Sequence, residues 1–272
     1  MSSKKLRSRS KLHRRVAGLL ALAFALIGTG ALYSFMVPEP QTAQAYHQPD
    51  SVRQGEQIYN NTCITCHGAN LEGVQGRGPS LIGIGEAAVY FQTETGRMPA
   101  VVQGSQEERK PRVLNSEEVE HLMAFIQSRG GGPTMPKDKD GNRLADGQLV
   151  GDKPSRGGEL FRLNCASCHN FTGRGGALSS GKFAPALDKA TPEEMYAAMV
   201  SGPQNMPKFS DRQLSPQEKK DIIAYVQSVT NGNNNPGGDP IGGLGPQSEG
   251  LIAFVVGMAA LLGITLWIGA KA

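Results

Sequence analysis

The chain has 272 residues and a formal net charge of +4 at pH 7, with only 19% charged residues, 35 Gly and 17 Pro. This composition predicts compact domains separated by irregular segments. The positive charge is concentrated at the start, since residues 1–45 carry seven Lys and Arg against one Glu. Because the remainder is slightly acidic, no nucleic-acid partner is expected.

Residues 1–45 combine a basic start with an apolar run from Val16 to Val37. That run has roughly the 20 residues that a membrane-spanning helix needs. The same layout fits a signal peptide, because Ala43-Gln44-Ala45 is a small-x-small cleavage site. A cleaved signal peptide and a retained anchor helix both remain open. In either case the positive end stays in the cytoplasm and the following chain lies outside.

Residues 50–130 and 157–230 are predicted to be two copies of one domain. Gly55-x-x-x-Tyr59 precedes the first cysteine pair, and Gly157-x-x-x-Phe161 precedes the second. Two copies of this size are not a solenoid. Three further matches follow in the same order: Gly78-Pro79-Ser80-Leu81 with Ala184-Pro185-Ala186-Leu187, Arg97-Met98-Pro99 with Asn205-Met206-Pro207, and Ala124-Phe125-Ile126-Gln127-Ser128 with Ala224-Tyr225-Val226-Gln227-Ser228.

Each copy is predicted to begin and end with a helix. In the first copy these helices cover 50–61 and 115–128. Asn115 with Glu118 is typical of a capped start, and Ser215-Pro216-Gln217-Glu218 is a capping box with Pro at the first helical position. The glycines before Tyr59 and Phe161 are expected to let the first helix of each copy cross close to the last.

The segments outside the copies differ in composition. Residues 131–156 and 231–250 are rich in Gly and Pro and are predicted to be a linker and a flexible tether. Residues 251–270 are apolar and uncharged, with Lys271 beyond them. This last segment is predicted to be a transmembrane helix that anchors the chain.

The four cysteines form two Cys-x-x-Cys pairs, each followed directly by histidine: Cys63, Cys66 and His67, then Cys165, Cys168 and His169. Two thiols at this spacing can both reach the vinyl groups of one haem, and the histidine then serves as proximal iron ligand. Two covalently bound haem c groups are therefore predicted. A thioredoxin-type redox pair needs no histidine, and structural zinc needs four ligands in one site.

The second axial ligand of each iron is predicted to be methionine, Met98 for the first haem and Met206 for the second. Both precede proline at matching places in the copies. Met135 is the competitor for the first haem, although it lies in the linker. His121 is not expected to be a ligand because Asp221 replaces it in the second copy. With both axial positions filled by protein, no catalytic residue is expected, and the haems carry electrons.

Pro79 and Pro185 follow the motif histidines at similar spacing. Their carbonyl groups or rings are expected on the proximal side of the haems. There a carbonyl oxygen can accept a hydrogen bond from the second ring nitrogen of the histidine and fix its orientation.

Each copy resembles a class I cytochrome c domain, and the whole chain is similar to the dihaem cytochrome c subunit of the actinobacterial menaquinol:cytochrome c reductase (cytochrome bcc complex). The resemblance covers about residues 50–272. It rests on Cys66-His67-Gly68-Ala69-Asn70-Leu71, Gly78-Pro79-Ser80-Leu81-Ile82-Gly83, Gly85-Glu86-Ala87-Ala88-Val89-Tyr90-Phe91, Thr95-Gly96-Arg97-Met98-Pro99-Ala100, Asn164-Cys165-Ala166-Ser167-Cys168-His169-Asn170-Phe171-Thr172-Gly173, Gly202-Pro203-Gln204-Asn205-Met206-Pro207-Lys208-Phe209 and Leu266-Trp267-Ile268-Gly269-Ala270.

The resemblance implies a mainly α fold with two tandem cytochrome c domains and a C-terminal transmembrane helix. It also implies a cytochrome b subunit, a Rieske iron–sulfur subunit that donates the electron, and a haem–copper oxidase that receives it. The expected location is the plasma membrane, with the haem domains on the outer side and both termini cytoplasmic if the N-terminal helix is retained. By analogy, the first haem would face the Rieske protein and the second the oxidase.

Two other functions remain open at this stage. One is a stand-alone anchored dihaem carrier, or the cytochrome subunit of a periplasmic dehydrogenase, although such chains usually lack a C-terminal spanning helix. The other is a dihaem peroxidase, which needs an iron with a vacant or displaceable position.

Overall fold

A computed structural model describes residues 13, 15–29, 49–101, 104, 106–230 and 246–271. The described residues are mainly α-helical. They divide into two compact units, Met1–Thr42 and Ala43–Ala272. The described part of the first unit is essentially one apolar helix, α1 (Arg15–Thr29). The predicted cleavage site at residues 43–45 lies outside the described residues, as does the end of the predicted N-terminal span.

The first copy is built from four helices, α2 (Pro49–Thr62), α3 (Ile64–His67), α4 (Gly85–Glu94) and α5 (Ser116–Gly130). Helix α2 packs across α5, and the rings of Tyr59 and Phe125 lie 5.3 Å apart at the crossing. A β-carbon on Gly55 would collide with the carbonyl oxygen of His121. The expectation that glycine permits a close crossing is therefore confirmed.

The second copy repeats this arrangement with α6 (Pro154–Asn164), α7 (Ala166–His169), α8 (Pro192–Ser201) and α9 (Pro216–Thr230). The rings of Phe161 and Tyr225 are again 5.3 Å apart, and Gly157 lies against the backbone of Asp221. A short antiparallel pair, β1 (Gly176–Ala177) with β2 (Phe183–Ala184), is added in this copy. Two 3-10 turns cover Asp146–Gln148 and Ser179–Gly181.

The last helix of each copy begins at the predicted cap. The Asn115 side chain accepts a hydrogen bond from the Glu118 backbone at 3.0 Å, and the Glu118 carboxylate accepts one from the Asn115 N–H at 2.8 Å. Ser215 and Glu218 make the same reciprocal pair at 3.3 and 3.0 Å. Both capping boxes satisfy backbone donors that the first helical turn leaves open.

The predicted linker is irregular but packed. Met135 is buried in the hydrophobic core of the first copy, and Leu149 is buried in that of the second. The Met135 N–H donates to the buried Glu86 carboxylate at 2.9 Å. The linker thus contributes to both cores, which its Gly- and Pro-rich sequence did not indicate.

Helices α4 and α8, at equivalent places in the two copies, pack against each other. Ala197 of α8 belongs to the hydrophobic core of the first copy. Arg109 forms a bidentate ion pair with Glu194, whose side chain is 2% exposed, at 2.8 and 2.6 Å. The two copies therefore meet through a partly apolar interface with a buried charge pair.

Helix α10 (Pro246–Gly269) begins inside the segment predicted to be the tether. Ser248–Gly269 has a mean hydropathy of 2.5 and an unburied surface, so it is long and apolar enough to cross a membrane. The predicted span 251–270 matches it to within a few residues. The remainder of the tether, 231–245, lies outside the described residues.

Candidate haem sites

The first site is a cavity of about 800 Å³ at the C-terminal end of α2. Cys63, Cys66, His67 and Met98 all border it. The cysteines and histidine come from the turn and short helix α3 that follow α2, and Met98 comes from the loop after α4. The fold thus brings the four predicted site residues of the first copy together.

His67 is held in one tautomer by Pro79. Its Nδ1 atom lies 2.8 Å from the Pro79 carbonyl oxygen. A carbonyl oxygen can only accept, so Nδ1 carries the proton and Nε2 keeps its lone pair for a metal. The predicted carbonyl contact is therefore confirmed, and it fixes the orientation of the buried His67 side chain.

The second site is a cavity of about 550 Å³ bordered by Cys165, Cys168, His169 and Met206. His169 Nδ1 lies 3.0 Å from the carbonyl oxygen of Pro185, which fixes the same tautomer as in the first copy. Burial lowers the pKa of His169, partly offset by that hydrogen bond. The neutral imidazole, which is the form that binds iron, is thereby favoured.

The first cysteine of each pair lacks the lowered thiol pKa of a reactive redox pair. Burial, with a smaller contribution from the neighbouring cysteine, raises the pKa of Cys63 to about 11 and that of Cys165 to about 12. Reactive Cys-x-x-Cys pairs instead have a lowered thiol pKa. The two pairs also border different cavities, so they do not form one four-ligand zinc site.

The methionines differ between the two cavities. In the first, Met98 borders the cavity, whereas the competitor Met135 is packed in the core away from it. In the second, Met195 and Met199 of α8 border the cavity together with Met206. The match to Met98 in the repeat favours Met206, which stays a prediction.

Four residues of the first copy border the second cavity: Phe91, Arg97, Gln106 and Arg109. The Gln106 side-chain amide makes two hydrogen bonds to the backbone of Phe183, at 2.7 and 2.9 Å. This contribution of the first copy to the second cavity was not predicted from the sequence. One signal was available, because the repeat breaks at Arg97, where the second copy has Asn205.

The two cavities share a wall. Arg97 borders the second cavity, and the next residue, Met98, borders the first. Glu107 borders the first cavity, while Gln106 and Arg109 border the second. Residues 97–98 and 106–109 of the first copy therefore lie between the two cavities, and this adjacency suits electron transfer between two bound redox groups.

Residues 52–130 match the family model described as "Cytochrome c", and residues 152–226 match that described as "Cytochrome C oxidase, cbb3-type, subunit III". Three curated relatives are each named cytochrome bc1 complex cytochrome c subunit. The Mycobacterium tuberculosis (strain H37Rv) protein is 50% identical over 270 residues, covering 99% of this chain and 96% of the relative. The Corynebacterium efficiens protein is 50% identical over 279 residues (99% and 94%), and the Mycobacterium leprae protein is 52% identical over 256 residues (94% and 88%).

The cavities fit haem c. Each has a volume within the roughly 300–1,000 Å³ typical of cofactor sites, and each offers two thiols, an imidazole with a free Nε2 and a thioether. Cytochrome c domains bind their haem covalently through this motif. The chain therefore consists of two cytochrome c domains and carries two haem c groups.

Proposed function

Because the chain belongs to the family of cytochrome c subunits of the cytochrome bc1 complex, we propose that it is the electron-output subunit of a respiratory menaquinol:cytochrome c reductase. In this proposal it takes electrons from a Rieske iron–sulfur subunit associated with cytochrome b and passes them to a haem–copper oxidase. The observation that carries the proposal is the pair of equivalent cavities separated by one wall.

The residues of each cavity have separate tasks. Cys63 and Cys66 would hold the first haem c by thioethers, and Cys165 and Cys168 would hold the second. When bound, each haem c supplies a one-electron ferric/ferrous couple. The carbonyl groups of Pro79 and Pro185 keep the two histidines oriented and raise the basicity of the ligating nitrogen.

Binding of the two irons by Met98 and Met206 would decide between a carrier and a catalyst. A thioether ligand raises the reduction potential, and with histidine it leaves no open position on the iron. Met98 and Met206 border the cavities and are half-buried, which supports this ligand role. A dihaem peroxidase would require an open position, and this arrangement favours electron transfer instead.

We further propose that α10 anchors the chain in the plasma membrane with both haem domains on the outer side. The support is the apolar length of Ser248–Gly269 together with the basic segment before Val16. Protease added to intact spheroplasts should then digest the haem domains. Digestion only after the membrane is broken would overturn this topology.

The proposed assembly is tested by purifying the tagged full chain from membranes in mild detergent, with an untagged strain as control. A reduced-minus-oxidised spectrum should show haem b beside haem c, and an iron–sulfur subunit should co-purify. Recovery of haem c alone would replace the proposal with a stand-alone anchored carrier.

A further inference from the structure

One buried charge is not explained by the contacts within the chain. Arg97 is 8% exposed and borders the second cavity. Its guanidinium stacks on the Phe91 ring at 4.9 Å, and its Nη1 atom is buried without a hydrogen-bond partner among the described residues. A buried charged donor that is left unsatisfied is strongly destabilising, so an acceptor is expected at this point.

The neighbouring carboxylate is already engaged. The Glu194 carboxylate accepts hydrogen bonds from both terminal nitrogens of Arg109. It also accepts one from the Thr191 N–H at the start of α8. The charged side chains bordering this cavity are Arg97, Arg109, Lys189, Asp188 and Glu194, so positive charges outnumber negative ones.

We propose that Arg97 binds a propionate of the haem in the second domain, so that a residue of the first domain holds the anionic edge of its neighbour's cofactor. Haem carries two carboxylates, and guanidinium groups bind carboxylates through short, charge-assisted hydrogen bonds. The Phe91 ring lies against the guanidinium and restricts its orientation. The inference rests on haem in the second domain and is independent of the proposed redox partners.

This contact has an electrostatic consequence. A positive charge beside a propionate offsets its negative charge, which stabilises the ferrous state and raises the reduction potential of the second haem. The first haem has no equivalent cross-domain arginine among the residues described as bordering its cavity. In the second copy, the residue that matches Arg97 is Asn205, which receives a hydrogen bond from Lys182 at 3.1 Å.

The test compares Arg97→Gln with Arg97→Lys in the full, haem-loaded chain, by spectropotentiometric titration of both haems. The second haem is identified as the one whose potential falls in Met206→His. Arg112→Gln is the matched control, since Arg112 also loses one charge but pairs with Glu94 and borders neither cavity.

We expect Arg97→Gln to lower the reduction potential of the second haem and to leave that of the first haem unchanged. In Arg97→Lys the second haem should keep most of its wild-type reduction potential. The infrared redox difference spectrum should show a shifted propionate carboxylate band in Arg97→Gln only. Retention of the ferric methionine-to-iron charge-transfer band shows that Met98 still binds. A shift confined to the first haem, or one equal to that of Arg112→Gln, would overturn the inference. Because no quinol or oxidase is used, its failure is distinct from a failure of the proposed function.

Discussion

The two cytochrome c domains share the same predicted ligand set but differ in how their cavities are enclosed. The first cavity is bordered by residues of its own domain, and Cys63, the equivalent of Cys165, is half-buried there. The second is smaller, Cys165 is buried, and part of its wall comes from the first domain. The two haems can therefore differ in reduction potential although their ligands are the same, because charges and hydrogen bonds around a haem also change its reduction potential.

The largest expected effect is the loss of one haem. Replacing Cys165 and Cys168 together by Ser removes both thioethers of the second domain. The chain should then lose the second haem c and keep the first, because the first cavity depends on its own domain. Haem-stained gels and a pyridine haemochrome assay measure the content.

The reciprocal variant replaces Cys63 and Cys66. It should also weaken haem retention in the second domain, since the first domain supplies part of that wall. The expected asymmetry is that the second domain depends on the first but not the reverse. Loss of both haems on replacing Cys165 and Cys168, with one haem retained on replacing Cys63 and Cys66, would contradict it.

Replacing one predicted methionine ligand at a time by histidine should change the reduction potential of one haem and not of the other. Met98→His and Met206→His are each expected to lower the potential of one haem by on the order of 0.1–0.3 V, a part of the ~0.8 V range that axial ligands span. Redox titration of the purified chain measures this. Met195→Leu and Met199→Leu are the controls, because both residues border the second cavity. A fall in potential in either control, with none in Met206→His, would show that the ligand assignment is wrong.

At the helix crossing, replacement of glycine by a larger residue should be equally destabilising in both domains. Gly55→Ala and Gly157→Ala each place a methyl group against backbone, so we expect a loss of about 3 kcal/mol in the free energy of unfolding. Gly147→Ala is the control, as nothing described lies within 4 Å of its added carbon. Denaturation monitored by circular dichroism checks this. A loss no larger than in the control would mean that the helices can move apart at little cost.

The smallest effect concerns the caps. Asn115→Ala and Ser215→Ala should each cost about 1 kcal/mol. Hydrogen bonds from the Ser215 N–H, then from its hydroxyl and from Arg156, hold the pKa of Glu218 below its ordinary value of 4.5. The contribution of this carboxylate to stability is therefore complete above about pH 4.5 and is lost as the pH falls through its lower folded-state pKa. Denaturation at pH 7 and pH 3 should show that Ser215→Ala matters less in acid.

Much of each domain could be predicted because its signals are local. The capping residues Asn115 and Ser215, the haem-binding motifs and the prolines after them all act within a short stretch of chain or recur in the repeat. Gly55 and Gly157, at the helix crossings, could be identified because each precedes an aromatic residue by the same number of positions in the sequence.

For the wall between the domains, the replacement of Arg97 by Asn205 in the second copy is a sequence signal, but it does not show which cavity Arg97 borders. Arg97 lies beside a predicted ligand of the first haem, yet it borders the second cavity, and only the packing of α4 on α8 brings it there. Met135 and Leu149 lie in a Gly- and Pro-rich segment without a helical or strand pattern of apolar residues, so no periodicity marks them as core residues.

The most direct test of the account is anaerobic mixing of menaquinol with the purified assembly that contains this chain, while the absorbance of haem c is followed. The account predicts that both c-type haems become reduced and that an inhibitor of quinol oxidation prevents this. Reduction of haem b by menaquinol while both c-type haems stay oxidised, although dithionite reduces them, would contradict it.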